Sequence, residues 1–276
     1  MQQGGLQNAR DDVRLPACRP GQLPGPSSRL PRLSGMTPPV LLALRASDLA
    51  ALGEGAALPV EGFSGVLFDE AALPGQAERV TRLRAGGILP WMRLRAPRPP
   101  APATPSAEPA LAGAPLDPRN LPPLPPGLLS PAADARDAVD SGLAERLEAA
   151  AAAGVAGVVI DAPQRLPAEA AAALFAALRA RHPGLCVVAN SAGLPQAVAE
   201  ALAAQGYDML ASSLGWWDYR ARWLPQETLS RRPSRPPMAL LTDAPPATAP
   251  ARLARRVRAA AALCGGLALP LAEARR

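Results

Sequence analysis

The chain has 276 residues, long enough for one large core or two small ones, and 49% of them are hydrophobic although only 3% are aromatic. Its 35 prolines and 23 glycines make up about a fifth of the chain, below the ~25–30% typical of wholesale disorder. Most of the chain is therefore expected to fold, around a core made mainly of Ala, Leu and Val side chains.

The charge pattern argues against a nucleic-acid partner, and the lengths of the apolar runs argue against a membrane. The formal net charge is +6, and all 29 basic side chains are arginines dispersed along the chain. No aromatic residues interleave the densest arginine sets, as a stacking platform for nucleic acid would require. No segment reaches the ~18 consecutive apolar residues of a membrane-spanning helix. We therefore expect neither a nucleic acid nor a membrane as a partner.

The cysteines and the N-terminus indicate the compartment. Cys18, Cys186 and Cys264 are far apart and show neither a CxxC pair nor metal-ligand spacing. The N-terminus has no charged region followed by an apolar one, which an export signal would need. No Gly-rich nucleotide-binding loop follows any apolar run. These features predict a cytoplasmic protein with no bound metal and no cofactor.

Two segments are predicted to lie outside the folded core. Residues 1–39 mix Gln, Gly, Arg and Pro without helical or strand periodicity, which predicts a disordered tail. Residues 96–131 contain 13 prolines in 36 positions, which excludes both a helix and a central strand. The second segment is predicted to be a long extended insertion after the third strand.

Eight short apolar runs are strand candidates. Each is nearly continuous in apolar residues, as expected of strands buried on both faces. The candidates are Val40–Arg45, Phe63–Asp69, Ile88–Leu94, Val155–Asp161, Leu185–Asn190, Tyr207–Ser212, Met238–Asp243 and Leu267–Leu271.

Helical patterns separate most of these strands. One begins near Ser141 and closes at Gly154, and others run from Pro167 to His182, from Pro195 to Gly206 and from Pro250 to about Leu263. Eight strands alternating with helices over residues 40–271 predict a (β/α)₈ TIM barrel. An open doubly wound α/β sheet is the alternative.

A barrel would place its chemistry at the carboxyl ends of its strands. The polar residues at those ends are Asp69, Asp161, Asn190, Ser212, Ser213 and Asp243. A strand-end Asp followed by Ala-Pro also caps the next turn in many proteins, so capping is the alternative interpretation of Asp161 and Asp243.

The fourth predicted strand carries a recognisable motif. Residues 154–167 read GVAGVVIDAPQRLP, which resembles the G-V-x-G-F-R-x-D-A-P motif of the α-amylase superfamily of glycoside hydrolases. The resemblance implies that Asp161 occupies the position of the catalytic nucleophile. Gln164 and Arg165 follow it, where they could contact sugar hydroxyls or belong to the first turn of the next helix.

Three later segments extend the resemblance over residues 142–270. HPGLCVVANS at 182–191 is similar to the fifth strand, with Asn190 where the general acid Glu belongs. GYDML and SSLGWWDYR resemble the sixth-strand region of maltosyltransferase-like members, which act on α-1,4-glucan. LLTD at 240–243 is similar to the seventh strand and keeps its Asp, as Asp243, but has Thr242 for the His.

The resemblance implies substrate-binding residues around Asp161. They are Gln164, Arg165, Trp216, Trp217 and Asp218. Trp216 and Trp217 belong to the aromatic cluster of an aromatic-poor chain and could stack on sugar rings, with packing in a core or against a partner as the equal alternative.

The departures from the motif predict impaired catalysis. A retaining glycosidase needs two carboxyl groups, and the Asn190 amide cannot release a proton. Val159 replaces the Arg that precedes the nucleophile in the motif. We therefore expect a barrel of α-1,4-glucan metabolism that acts on a glucan or maltooligosaccharide with reduced activity. If it is active, Asp69 or Asp218 would supply the proton. The alternative is a pseudoenzyme that binds a glucan or a related glucan-metabolising enzyme.

Overall fold

The protein is a closed eight-stranded parallel barrel, which confirms the (β/α)₈ prediction. The computed structural model describes residues 39–52, 58–70, 77–97, 142–194, 196–217, 224–225, 227–228, 237–243 and 249–274. The chain divides into two units after Met36, and all described residues lie in the second, Thr37–Arg276. Because the strands close on themselves from β8 back to β1, the open doubly wound alternative is wrong.

The strands follow one another around the barrel in chain order. Their residues are buried almost throughout, because one face lines the barrel interior and helices cover the other. They are β1 (Val40–Leu44), β2 (Gly65–Asp69), β3 (Leu89–Arg95), β4 (Gly157–Asp161), β5 (Cys186–Ala189), β6 (Met209–Ser212), β7 (Met238–Leu240) and β8 (Gly266–Pro270).

The four helices that the sequence predicts begin and end close to the expected positions. Pro250 is the first residue of its helix, where proline's missing N–H costs nothing. Gly154 follows another helix with φ +79°, a left-handed turn that favours glycine. The α-helices are α1 (Ala46–Leu52), α2 (Ala77–Ala85), α3 (Ala144–Ala152), α4 (Ala168–Arg181), α5 (Gln196–Ala204), α6 (Pro250–Leu263) and α7 (Leu271–Ala274).

Several predicted strands begin too early because apolar residues also pack at the helix–strand junctions. Val155 is 5% exposed, yet its N–H donates to the Ala150 carbonyl at the end of α3 rather than to a strand. Tyr207 packs its ring on Phe175 of α4, with ring centroids 4.6 Å apart. Burial raises the pKa of the Tyr207 hydroxyl, so Tyr207 stays neutral. Burial without pairing explains the extra length.

Trp91 lies in the barrel interior. Its side chain is fully buried, and room for the indole comes from glycines on both neighbouring strands. A Cβ on Gly157 would lie 2.4 Å from a Trp91 ring carbon, and a Cβ on Gly65 would lie 3.3 Å from another. Around it, alternate strand residues form the interior: Leu41, Ala43, Leu67, Val159, Cys186, Val188, Met209, Ala211, Met238, Leu240 and Ala268.

A charged cluster joins α3 to the end of α4. Arg181 Nε donates to Glu148 Oε1 at 2.7 Å, and His182 Nε2 lies 2.9 Å from Glu148 Oε2. The pKa of Glu148 is held below its usual range, mainly by the hydrogen bond with Arg181 and next by the hydrogen bond with His182. This cluster makes part of the stability of the helical layer dependent on pH.

The predicted tail at 1–39 and insertion at 96–131 fall almost wholly outside the described residues and stay predictions. Described residues from the insertion are Ala96, which is 2% exposed, and Pro97. Within the described part of the chain, no helix is long and apolar enough to cross a membrane.

Candidate active site

The alternation of side chains along the strands carries polar residues to one end of the barrel. The interior-facing positions on β1, β3, β4, β5 and β7 are continued, two residues further along each chain segment, by polar side chains. We call this end the mouth and define it by Arg45, Arg93, Asp161, Asn190 and Thr242. It is the end where the carboxyl termini of the strands meet, as barrel chemistry requires.

Asp161, the last residue of β4, accepts two hydrogen bonds from Arg93 of β3. Arg93 Nε donates to Asp161 Oδ2 at 2.7 Å, and Arg93 Nη2 donates to Asp161 Oδ1 at 2.8 Å. Both side chains are 17% exposed, so the ion pair is shielded from water but reachable from the mouth. Such a two-point contact fixes the orientation of the carboxylate and stabilises its negative charge.

Asn190 contacts the same carboxylate from the opposite side. The residue follows β5, and its backbone N–H donates to the Ile160 carbonyl of β4 at 2.9 Å. This backbone bond carries the side chain to Asp161, and Asn190 Nδ2 donates to Asp161 Oδ1 at 2.8 Å. The nucleophile position and the general-acid position of the resemblance therefore lie together, as a barrel requires.

Thr242 connects this group to β1 and β7. Arg93 Nη1 donates to Thr242 Oγ1 at 3.2 Å, and Arg45 Nη2 lies 3.4 Å from the Thr242 carbonyl. The sequence predicts that the seventh strand runs to Asp243. In the structure β7 ends at Leu240, and Leu241–Asp243 form a 3₁₀ helix. Asp243 ends that helix beside Thr242, but its side chain lies outside the described structure, so its predicted role is untested.

The backbone directly after Asp161 is strained. Ala162 has φ 52° and ψ 46°, a left-handed conformation that costs a residue with a Cβ about 1–2 kcal/mol. It is the one non-glycine residue of the described ranges with positive φ. Strain that persists beside a site is a reason to look for function there.

Gln164 and Arg165 lie in the 3₁₀ turn Pro163–Arg165 that follows the strained residue. Both are half-buried. Gln164 Oε1 is buried and has no hydrogen-bond partner among the described residues. The turn places both residues after β4 as predicted, but a sugar contact for either stays a prediction.

The two described tryptophans that follow β6 differ in their surroundings. Trp216 ends the 3₁₀ helix Ser213–Trp216, and its buried Nε1 lacks a hydrogen-bond partner in the described part of the chain. Trp217 packs against the cluster of Leu214, Ala239 and Leu267 beneath α6. This contact favours the packing interpretation of Trp217. Asp218 lies outside the described residues.

Charged residues at this end of the barrel that were not predicted from the sequence as site residues include Arg93 and Glu227. Arg93 is in phase with the interior residue Trp91, two residues further along β3, and this phase was the available signal. Glu227 Oε1 accepts from the Ser213 backbone N–H at 2.8 Å and from Ser212 Oγ at 3.2 Å. Glu227 lies between segments that the structure does not describe, and no pattern in the sequence identified it.

The spacing around Asp161 can be compared with that of a retaining glycosidase. A retaining glycosidase keeps its two carboxyl groups ~5–5.5 Å apart so that the glycosidic bond fits between them. Here the heads of Asp161 and Asn190 touch. Val159 offers no guanidinium on β4, and Arg93 places one beside Asp161 from the neighbouring strand. No group of three His, Cys, Asp or Glu side chains in the described ranges is placed to hold a metal ion.

Sequence comparison supports the predicted resemblance. The chain is 44% identical over 105 residues, 38% of its length, to an alpha-1,4-glucan:maltose-1-phosphate maltosyltransferase of Burkholderia pseudomallei. The chain is thus similar to a maltosyltransferase over that stretch, although the match spans about 9% of the relative's length. No family model matches the chain, and membership of the α-amylase superfamily stays a prediction.

Solved structures with similar architecture include glycoside hydrolases. One is the glycoside hydrolase domain of PelA from Pseudomonas aeruginosa, with a TM-score of 0.47, 19% identity and coverage of 85% of this chain and 96% of that one. Another is a fungal endo-beta-N-acetylglucosaminidase of glycosyl hydrolase family 18, with a TM-score of 0.48, 12% identity and coverage of 84% and 89%. Neither similarity supports a functional assignment.

Proposed function

We propose that this barrel binds an α-1,4-glucan or maltooligosaccharide at its mouth and has lost the hydrolysis or transfer of unactivated glucans. The proposal rests on one observation above all: the Asn190 amide, at the position that the resemblance assigns to the general acid, donates a 2.8 Å hydrogen bond to the Asp161 carboxylate. The similarity to a maltosyltransferase supports the choice of ligand.

The chemical argument concerns the proton. Departure of a sugar alcohol needs a proton from a positioned acid, and such assistance is worth typically 10²–10⁴-fold. An amide has no proton to give at neutral pH. Asp161 is also held at both oxygens by Arg93 and Asn190, so attack on a sugar would have to break a preformed hydrogen-bond network.

A second candidate, residual glycosyl transfer, is favoured by the 17% exposure of the Asp161 side chain. Asp161 could still attack a donor whose leaving group needs no proton. For a glucan donor, whose leaving group does need a proton, that proton would come from Asp69, Asp218 or Glu227.

Two measurements separate the candidates. Binding of maltoheptaose is measured by titration calorimetry, with Asp161→Asn as the site variant and Glu145→Gln on α3 as the control outside the mouth. Incubation with α-maltosyl fluoride, followed by peptide mass spectrometry, tests for a glycosyl adduct at Asp161. We expect binding that Asp161→Asn weakens, and no adduct. An adduct supports residual transfer, and absence of glucan binding overturns the proposal and leaves a partner enzyme as the occupant to test.

A further inference from the structure

We propose that Arg93 is the positioning residue of the mouth: from β3, it supplies the positive charge that fixes Asp161 on β4. This inference goes beyond glucan binding and does not depend on it, because it concerns the carboxylate that any ligand at the mouth would meet. It rests on contact geometry, on strand register and on burial.

The contact geometry assigns the guanidinium to the carboxylate. Arg93 presents Nε and Nη2 to the two oxygens of Asp161 at 2.7 and 2.8 Å. Arg93 and Asn190 are the described side chains that hydrogen-bond Asp161. Asn190 is neutral, so Arg93 supplies the positive charge in this set. A carboxylate that is only 17% exposed needs such a charge, because its desolvation is otherwise costly.

The strand register explains how β3 can do this. Arg93 and Val159 are Cα partners across the β3–β4 ladder, and Asp161 lies two residues further along β4 on the same inward face. At this level of the barrel, β4 offers the apolar Val159, which is fully buried. A guanidinium could reach Asp161 from either strand at this level, and in this chain it comes from β3.

The third contact of Arg93 ties the pair across the mouth. Nη1 donates to Thr242 Oγ1 at 3.2 Å, so the guanidinium is held from the end of β7 while it holds Asp161. Arginine is suited to this role because its planar group offers several donors in fixed directions, which the ammonium of lysine does not. Arg93 thus links the ends of β3, β4 and β7 through a single side chain.

A double-mutant cycle tests the proposal. Arg93→Leu, Asp161→Asn and the double variant are compared with wild type by chemical denaturation. If Arg93 acts through Asp161, Arg93→Leu raises the unfolding equilibrium constant by at least ~10-fold in the wild-type background and by less than ~3-fold when Asp161 is already Asn. An equal cost in both backgrounds means that Arg93 does not act through Asp161, and overturns the proposal.

Two further variants give readouts that space-filling would not move. Arg93→Lys keeps the charge but not the fork, and we expect it to recover only part of the loss. Val159→Arg combined with Arg93→Leu returns a guanidinium to the same level from β4, and we expect it to recover at least half. Recovery by Val159→Met as large as that by Val159→Arg would contradict the proposal. Failure of wild type to bind maltoheptaose would remove the proposed function and leave this cycle unaffected.

Discussion

Asn190 and Asp161, at the ends of neighbouring strands, touch through a 2.8 Å hydrogen bond from Nδ2 to Oδ1. The amide therefore stabilises the carboxylate that the resemblance identifies as a nucleophile. A carboxyl group at position 190 would meet the same oxygen as a like charge. The change of one atom, from nitrogen to oxygen, converts an attractive contact into a repulsive one.

We predict that Asn190→Asp destabilises the protein in a pH-dependent way. Repulsion from Asp161 raises the pKa of the new carboxyl in the folded state above its unfolded value of ~3.9. The penalty is then small near pH 4 and grows as pH rises. It reaches about 1–3 kcal/mol at pH 7, because raising a pKa by one costs the ionised form about 1.4 kcal/mol. Urea denaturation of both proteins between pH 4 and pH 7 measures it.

The matched control for this variant exchanges the two groups. Asp161→Asn together with Asn190→Asp keeps one amide, one carboxylate and their hydrogen bond, so the pH-dependent part of the loss should disappear. A deficit in the single variant that stays constant from pH 4 to pH 7 would show that repulsion is not its cause.

A second prediction concerns the contact of Trp91 with Gly157. A Cβ at position 157 would lie 2.4–2.7 Å from three carbons of the indole, and the ring is fully buried in the barrel interior. Gly157→Ala should therefore cost about 1–3 kcal/mol of unfolding free energy, the range for overpacking. Thermal and urea denaturation provide the measurement.

Gly184→Ala is the control for this variant, because a Cβ there meets nothing within 4 Å. We expect little change from it. If Trp91→Phe, which shortens the ring, does not reduce the cost of Gly157→Ala, the steric explanation is wrong.

The barrel could be predicted from the sequence because its strands are buried on both faces and therefore appear as continuous apolar runs. The same runs concealed the strand ends: apolar residues such as Val155 are buried at junctions without pairing. The polar strand ends identified Asp161 and Asn190. Their contact depends on register across β4 and β5, which the apolar pattern of single strands does not encode.

The contact of Arg93 with Asp161 could not be predicted for a similar reason. Along β4, Val159 stands where the motif has an arginine. The compensating guanidinium comes from the adjacent strand, at the Cα partner of Val159. A motif that follows one strand cannot show a replacement supplied across a ladder.

The cluster around Glu148 predicts a loss of stability at acid pH. Hydrogen bonds from Arg181 and then His182 lower the pKa of Glu148 in the folded state. A carboxyl with a lowered folded pKa stabilises the protein above its unfolded pKa, and this contribution is lost as pH falls through the folded pKa. The stability advantage of wild type over Glu148→Gln should therefore shrink as pH falls from about 5 to about 3.

Denaturation midpoints at several pH values between those limits measure this difference. Glu145→Gln, at an exposed position of the same helix α3, is the control and should show a difference from wild type with less pH dependence. A Glu148→Gln difference that is unchanged over the whole range would exclude Glu148 as a source of acid sensitivity.

The last prediction uses the strained backbone at Ala162, directly after Asp161. Its φ of 52° is available to glycine without steric cost, whereas Ala pays about 1–2 kcal/mol. Glycine also loses more chain entropy on folding, by about 0.5–1 kcal/mol, so Ala162→Gly should be neutral or stabilising by up to about 1 kcal/mol. Ala153→Gly, at the C-cap of α3 with φ −69°, lacks the relief and should destabilise by about 0.5–1 kcal/mol. Urea denaturation of both variants gives the comparison. Equal destabilisation by the two would mean that position 162 holds no strain to release.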